Sequence, residues 1–553
     1  MTTMRKTAVA LAGAMLLALG AAQDARAAAC GDINNSGGAP DAIDSAGLAA
    51  VVLNGGVTVA SHCGNLGTLQ CGDLVATGTI NSGDLVASLQ TAVGLEPLLQ
   101  ICTGFGPVLP CNSTVSGTVT SNQQWPAGCN TFVDGTVLVT NNAVVTMQAG
   151  AVVRGRKAST DGTPSALVFT ANSKVNAPGT AAAPIVMTSD QGVGLRAKED
   201  WGGLVMLGQA PVNFPGGTGA CEGLPPGTCN FGGNNAADNN GLLRYVRVEF
   251  CGRELSPDNE LNCLTMNGLG STTSIDFVQA NQGSDDGHEW FGGTVNAKHL
   301  VTTNMGDDML DWQIGWTGNL QFALAHMNIA QIDGTGSNGI EADNNEFGFN
   351  NLPRSNPNVC NATMIGCVQQ GAACAIVGGT TGGQGANLRR GTAGKIGNSI
   401  IMDFRVAGLD IDNDETINQG CTNSTTLKTT EPVLRVQDSI LFNNGAAGTN
   451  QTIGSTSGAN NCTPAQLAGL WAATEGLLIT GTNPLPSVTG IYPAAVSNIY
   501  VPVDGGIADD APDCADLNPA FFDPAPYVGA FDPNVGGVNW LSTPGGWISY
   551  AVN

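Results

Sequence analysis

The segment Ser284–Gly318 carries one short pattern twice. Asp285-Asp286-x-x-Glu289-Trp290 recurs as Asp307-Asp308-x-x-Asp311-Trp312, at an offset of 22 residues. Chemically matched residues at a fixed period in the twenties mark a chain that coils, each turn stacking on the one before. A propeller blade needs ~40–45 residues, so a period of 22 fits one coil and not one blade. Stacked coils place equivalent residues about 4.8 Å apart along the axis. Asp285 should then lie over Asp307, Asp286 over Asp308, Glu289 over Asp311, and Trp290 over Trp312.

The sequence around this repeat supports the same architecture. Gly makes up 77 of 553 residues and charged residues only 12%, a bias towards turns and short strands and away from charged surface helices. From Asn112 onwards, short β-branched runs such as Val144–Met147, Ala166–Thr170, Leu204–Leu207 and Leu243–Phe250 alternate with Gly, Asn or Pro turns. No sustained helical period appears between 112 and 450. We therefore expect an all-β chain, a right-handed parallel β-helix over 112–450. Two insertions, Pro211–Asn240 and Asn344–Arg390, interrupt the coils. The Gly378–Gly385 run in the second lacks the Lys-Ser/Thr end of a phosphate loop. Past 450 the pattern fades into a C-terminal capping region, 451–553. There Pro464–Leu478 is helix-like and the aromatic tail from Tyr527 is expected to cover the open end of the coil.

Residues 1–27 read as an export signal, with Arg5 and Lys6, an apolar run from Thr7 to Ala22, and Ala25-Arg26-Ala27 as a small-x-small cleavage site. The mature chain is expected to be secreted or held at the bacterial cell surface, with no transmembrane segment; Cys30 is a candidate for lipidation. Sixteen cysteines in an exported chain suggest disulfides, with Cys221/Cys229, Cys251/Cys263 and Cys360/Cys367 as local pairs. CxxC and CxxCH are absent, against zinc ribbons, thioredoxin chemistry and c-type haem. A net charge of −24 argues against nucleic acid and anionic membranes as partners, since both need a basic patch.

Carboxylates dominate the chemistry on offer. Six of them (Asp285, Asp286, Glu289, Asp307, Asp308 and Asp311) would stack too closely to stay ionised and unpaired. Turn capping by Asp, a bound calcium ion, or a catalytic carboxylate group would each relieve the repulsion. His288 and Lys298 are the nearby candidates for proton donor or counter-charge, with Arg253, Arg389 and Arg390 the other basic groups near acids. Trp290, Trp312 and Trp316 offer flat faces for sugar rings, or else fill the coil. A second acidic run, Asp410-x-Asp412-x-Asp414, places three Asp on one face of an extended strand and is a further calcium candidate, with Glu341 and Asp343 on a neighbouring coil. No GxSxG, HExxH or Ser-His-Asp signature occurs.

Two resemblances complete the reading. Residues 30–102 hold two units, Cys30-Gly31-Asp32-Ile33-Asn34-Asn35-Ser36-Gly37 with Asp44, and Cys71-Gly72-Asp73 with Gly78, Ile80 and Asp84. They resemble the duplicated calcium loop and helix of dockerin modules, which implies Asp32, Asn34, Ser36 and Asp44, and Asp73 and Asp84, as calcium ligands. Val75 and Thr77 stand where the second loop needs oxygen ligands. The pieces Tyr245-Val246-Arg247-Val248-Glu249-Phe250, Glu254–Asn262, Asp285–Asn296, Asp200-Trp201-Gly202-Gly203 and Tyr527-Val528-Gly529-Ala530-Phe531 resemble a group of secreted bacterial β-helix surface proteins. That resemblance implies an extracellular β-helix and carries over no catalytic residue. The expected function is calcium binding, with a glycan or a protein as partner. The alternative is a polysaccharide lyase or glycoside hydrolase acting through carboxylates.

Overall fold

The computed structural model describes residues 106–551, apart from 225–226, 228, 257–258, 333–336, 372–382, 446–447, 491–497, 515–516, 535–538 and 542–545. The chain divides into two compact units, Met1–Gly106 and Pro107–Asn553. The export segment 1–27 and the dockerin-like module 30–102, with Asp32, Asn34, Ser36, Asp44, Asp73 and Asp84, lie outside the described residues.

In the second unit, short strands pair in parallel with the strands of the next coil. One ladder stacks Leu204–Leu207, Leu264–Asn267, His288–Phe291, Leu310–Gln313, Ile340–Ala342, Gln384–Leu388 and Ala407–Ile411 in that order. Glu289 pairs with Asp311 and Trp290 with Trp312, the register that the 22-residue period predicts. Side chains alternate across this sheet. Leu264, Met266, Trp290, Leu310, Trp312, Ile340, Leu388 and Leu409 enter the common core of the coil, while Thr265, Glu289, Asp311, Glu341, Asn387 and Asp410 form one outward column.

The other two ladders share longer strands, Gly241–Glu249, Ser274–Asn281, Asn296–Thr303, Asn319–His326 and Asn358–Ile365. Each bends at one residue with positive φ: Tyr245 (49°), Phe277 (54°), His299 (51°), Phe322 (62°) and Asn361 (51°). A side chain in this left-handed region costs roughly 1–2 kcal/mol. Here the first four rings stack along the axis, at centroid spacings of 4.3, 4.1 and 5.0 Å, and each stacked pair returns about 0.5–1.5 kcal/mol.

The helix Pro464–Thr474 opens with a capping box between Thr463 and Gln466 and sends Leu467 and Trp471 into the coil core, as a cap should. The tail does something else. Instead of covering the open end, it returns along the flank of the coil. Asn398 donates to Pro512 O, Asp523 N to Gln321 Oε1, Ala530 N to Thr363 Oγ1, and Ser549 N to Gln279 Oε1. The reason is apolar. Val301, Leu324, Ile365, Ile400, Met402 and Ile440 face outward on these strands, and the tail's Val528, Phe531, Leu541, Trp547 and Ile548 bury them. The Cys360–Cys514 disulfide pins the tail there, so the expected local pair Cys360/Cys367 does not form. Cys221–Cys229 and Cys251–Cys263 form as expected, joined by Cys111–Cys129 and Cys421–Cys462. Among the described residues, no helix is long and apolar enough to cross a membrane.

Candidate cation site

Each coil enters the acidic sheet through a corner whose side chain binds the coil above. Asn262 Oδ1 accepts from Asp286 N at 3.2 Å, Asp286 Oδ1 from Asp308 N at 2.9 Å, Asp308 Oδ1 from Asn338 N, and Asn338 Oδ1 from Gln384 N at 3.1 Å. Asp286 and Asp308 are therefore turn caps, linked in an axial ladder. The corner needs a side-chain oxygen on a short arm, which Asn and Asp share.

Capping does not account for the other acids. Oxygens of Asp286, Glu289 and Asp311, all buried, lie within 4.8 Å of one another, and so do those of Asp285, Asp286 and Asp307. Glu289 is held from both sides, by Asn262 Nδ2 and by Gln313 Nε2 at 3.0 Å. Asp311 is only 8% exposed, yet its Oδ1 has no hydrogen-bond partner. Burial pushes the carboxyls of Asp285, Asp286, Glu289, Asp308 and Asp311 well above the ordinary range. Asp307 adds to the effect at Asp285 and Asp308, Asp285 at Asp286, Asp311 at Glu289, and Asp343 at Asp311.

The walls bring further acids. Glu222, beside the Cys221–Cys229 bridge, has its carboxyl raised to about 7 by burial and by Glu260, and its charge is felt by Asp285, Glu289 and Asp311. Nothing in the local sequence marks Glu222 or Glu260. The fold brings them in through the first insertion and the hairpin Arg253–Ser256/Asn259–Leu261. On the far side, Arg389 binds Glu341 and, at 2.9 Å, Asp343, while Arg390 binds Asp343 at 2.7 Å and Glu346 at 3.0 Å. Both cations are thus engaged one coil beyond Asp311.

Several expected partners stand elsewhere. His288 points into the lumen, fully buried, with Nδ1 2.9 Å from Thr302 Oγ1; burial lowers its pKa to about 3, so it neither carries charge at neutral pH nor reaches the outer face. Lys298 binds Asp523 of the tail at 2.6 Å, and Arg253 reaches Lys157 O at 3.4 Å. Trp290, Trp312 and Trp316 are 0%, 2% and 0% exposed, which removes them as a sugar platform. Trp290 and Trp316 stack at 4.5 Å within the core. Asp410, Asp412 and Asp414 do not share a strand face. Asn413, at φ 71°, breaks the strand after Ile411, and Asp414 opens the helix Asp414–Gly420. Asp412 accepts from Ser455 N, and Asp414 accepts from Ser457 Oγ and Ala459 N. Only Asp410 stays on the outward column, and Asn387 separates it from Glu341.

The arrangement is an all-oxygen cradle in which carboxyl groups outnumber the cations beside them. Hard cations such as calcium take six to eight oxygens at 2.3–2.6 Å. Asp286, Glu289 and Asp311 supply three converging carboxylates, and the partnerless Asp311 oxygen is the donor such an ion would satisfy. The residues present fit calcium.

The crystal structure of Dettilon tailspike protein aligns with 12% sequence identity over 63% of this chain and 61% of that one, with a TM-score of 0.29; the chain thus spans about three fifths of the length of that protein. No curated protein matches the sequence. Residues 117–474 match the family described as the pectate-lyase-like β-helix domain. That span takes in nearly all of the three parallel ladders and runs to the end of the capping helix, and the chain belongs to this family.

Proposed function

We propose that this is an exported, surface-associated β-helix protein that binds calcium on the outer face of one sheet and engages a glycan or a protein partner there, without catalysing a reaction. One observation carries the calcium assignment: the buried Asp286–Glu289–Asp311 cluster, in which Asp311 Oδ1 has no hydrogen-bond partner. A buried carboxylate oxygen without a donor is costly, and a divalent ion offsets that cost directly. The disulfides support an oxidising compartment.

The test uses the full chain. After chelator treatment, calcium should raise its melting temperature. At a concentration 100-fold above Kd, a single site adds about 2.7 kcal/mol. Asp311→Asn should remove most of that gain while leaving the circular dichroism spectrum unchanged. If chelator and calcium leave the wild-type melting temperature in the same place, the assignment fails.

A second reading has one observation in its favour. Glu222, with its carboxyl near 7 beside ionisable carboxylates, suits a general acid of a glycoside hydrolase or polysaccharide lyase. Release of reducing ends or unsaturated products from a polysaccharide panel, lost in Glu222→Gln, would replace the binding reading with this one.

A further inference from the structure

The cation site occupies three positions of the coil, and those positions recur three coils further on. In the first set, Asp286 stands at the corner, Glu289 three residues later, and Asp311 is the partner of Glu289 in the next coil. In the second set the same places hold Gln384, Asn387 and Asp410, with Asn387 paired to Asp410. The backbone treats them alike. Gln384 N donates to Asn338 Oδ1 as Asp286 N donates to Asn262 Oδ1.

The side chains of the second set leave a surplus of acceptors. Gln384 Nε2 donates to Asp410 Oδ2 at 3.1 Å, and Asn387 Nδ2 faces Glu341 Oε2 at 3.4 Å. Gln384 Oε1, Asn387 Oδ1 and Asp410 Oδ1 are then buried without a hydrogen-bond partner, on residues 4%, 7% and 8% exposed. Flipping either amide gives no relief, because each nitrogen already faces a carboxylate and an oxygen in its place would be repelled. Leaving one buried acceptor unpaired is costly, and three occur on adjoining coils of one face. A single water has two protons for three oxygens. A cation held among them would satisfy all three at once, and amide and carboxylate oxygens are ordinary ligands of calcium.

We propose that Gln384 Oε1, Asn387 Oδ1 and Asp410 Oδ1 form a second calcium site, weaker than the first because it carries one formal negative charge where Asp286, Glu289 and Asp311 carry three. The inference extends the proposed calcium function to a separate ligand set, so the outer face holds two ions at equivalent positions of the repeat. Asp412 and Asp414, bound to Ser455 and Ser457, take no part.

Calcium titration of the full chain by calorimetry, with the bound metal counted by elemental analysis, tests the proposal. Asp410→Asn should remove one bound ion from the weaker phase and leave the tighter phase intact; Asp311→Asn should do the reverse. Asn387→Asp, which doubles the charge of the second set, should tighten the weaker phase at least tenfold. That gain separates ligation from a structural role and does not depend on how well Asp410→Asn folds. If Asp410→Asn binds as many ions as wild type, or Asn387→Asp leaves the weaker phase unchanged, three buried acceptors served by water are the better account and the second site is refuted. Loss of ions in Asp410→Asn with none in Asp311→Asn would refute the first site and keep the second.

Discussion

Replacing Trp290 separates a core role from a ligand-binding one. Its indole is fully buried in the lumen, stacked on Trp316 at 4.5 Å and 16°, and its Nε1 has no hydrogen-bond partner. Trp290→Ala removes the ring and leaves a cavity, which costs about 3–5 kcal/mol, and it loses a stacked pair worth about 0.5–1.5 kcal/mol. Against this, the partnerless N–H disappears, a relief of about 1–3 kcal/mol. The net loss should be about 3 kcal/mol. Trp290→Phe keeps a ring in the stack and removes the N–H, so it should lie within about 1 kcal/mol of wild type. Coils unfold with their neighbours, not with the whole chain at once. The appropriate assay is therefore hydrogen exchange along His288–Phe291 and Leu310–Gln313, alongside urea denaturation followed by circular dichroism. The Ala variant should lose protection in both strands. If Ala is as stable as wild type, or if Phe costs as much as Ala, the ring is not a packing element and the core assignment is wrong.

Three further outcomes follow from the structure. His326 is buried, with Nδ1 3.0 Å from Tyr500 Oη, and burial lowers its pKa to about 3. The unfolded chain binds its proton near 6.5, so its contribution is fully present above that pH and is lost as pH falls from 6.5 towards 3, by roughly 4–5 kcal/mol over the window; His326→Gln should make that part of the stability profile measured in urea shallower, with the buried His288 keeping its own share. Cys514→Ser opens a link across 154 residues that the loop-entropy account values at up to about 5 kcal/mol, and thermolysin should then trim the tail while the coil persists; an uncut tail would show that the apolar contacts suffice. A Cβ on Gly318 would sit 1.8 Å from Val295 O, so Gly318→Ala should cost about 1–3 kcal/mol or more, read as a lower urea midpoint.

The sequence displays its fold where the coil repeats without interruption. Between Asp285 and Trp312 no residue is inserted, so the pairing of Glu289 with Asp311 follows from counting. The count fails at the insertions. Glu341 pairs with Asp311 although they are thirty residues apart in sequence, and Asp410 lies on the same column beyond Asn387. The bend column was equally hidden. Tyr245, Phe277, His299 and Phe322 look like strand residues, and only the stacked backbone forces them to positive φ. The tail misled for a different reason. Its aromatic content correctly signalled that it covers apolar surface, but which surface depends on the outward side chains of Val301, Leu324 and Ile400, and alternation alone cannot distinguish those from core.

The acidic stretch itself divides along a line that composition does not draw. Asp286 and Asp308 differ from Glu289 and Asp311 by only three residues in each coil, yet the first pair spends an oxygen on the axial backbone ladder. Within the second pair, Glu289 is held by side-chain amides, and Asp311 keeps an oxygen free. The difference lies in the corner, where the chain turns and a short side chain reaches the next N–H, against the strand, where every N–H is already taken by the parallel ladder. A carboxylate on the strand has no backbone donor left to bind and must find a side chain or a cation. The same logic places Asn387 and Asp410 on strands and Gln384 at a corner whose arm is too long to cap. For that reason the search for ligands should follow strand positions on the outward column and not the local density of acid, which is highest at the turns.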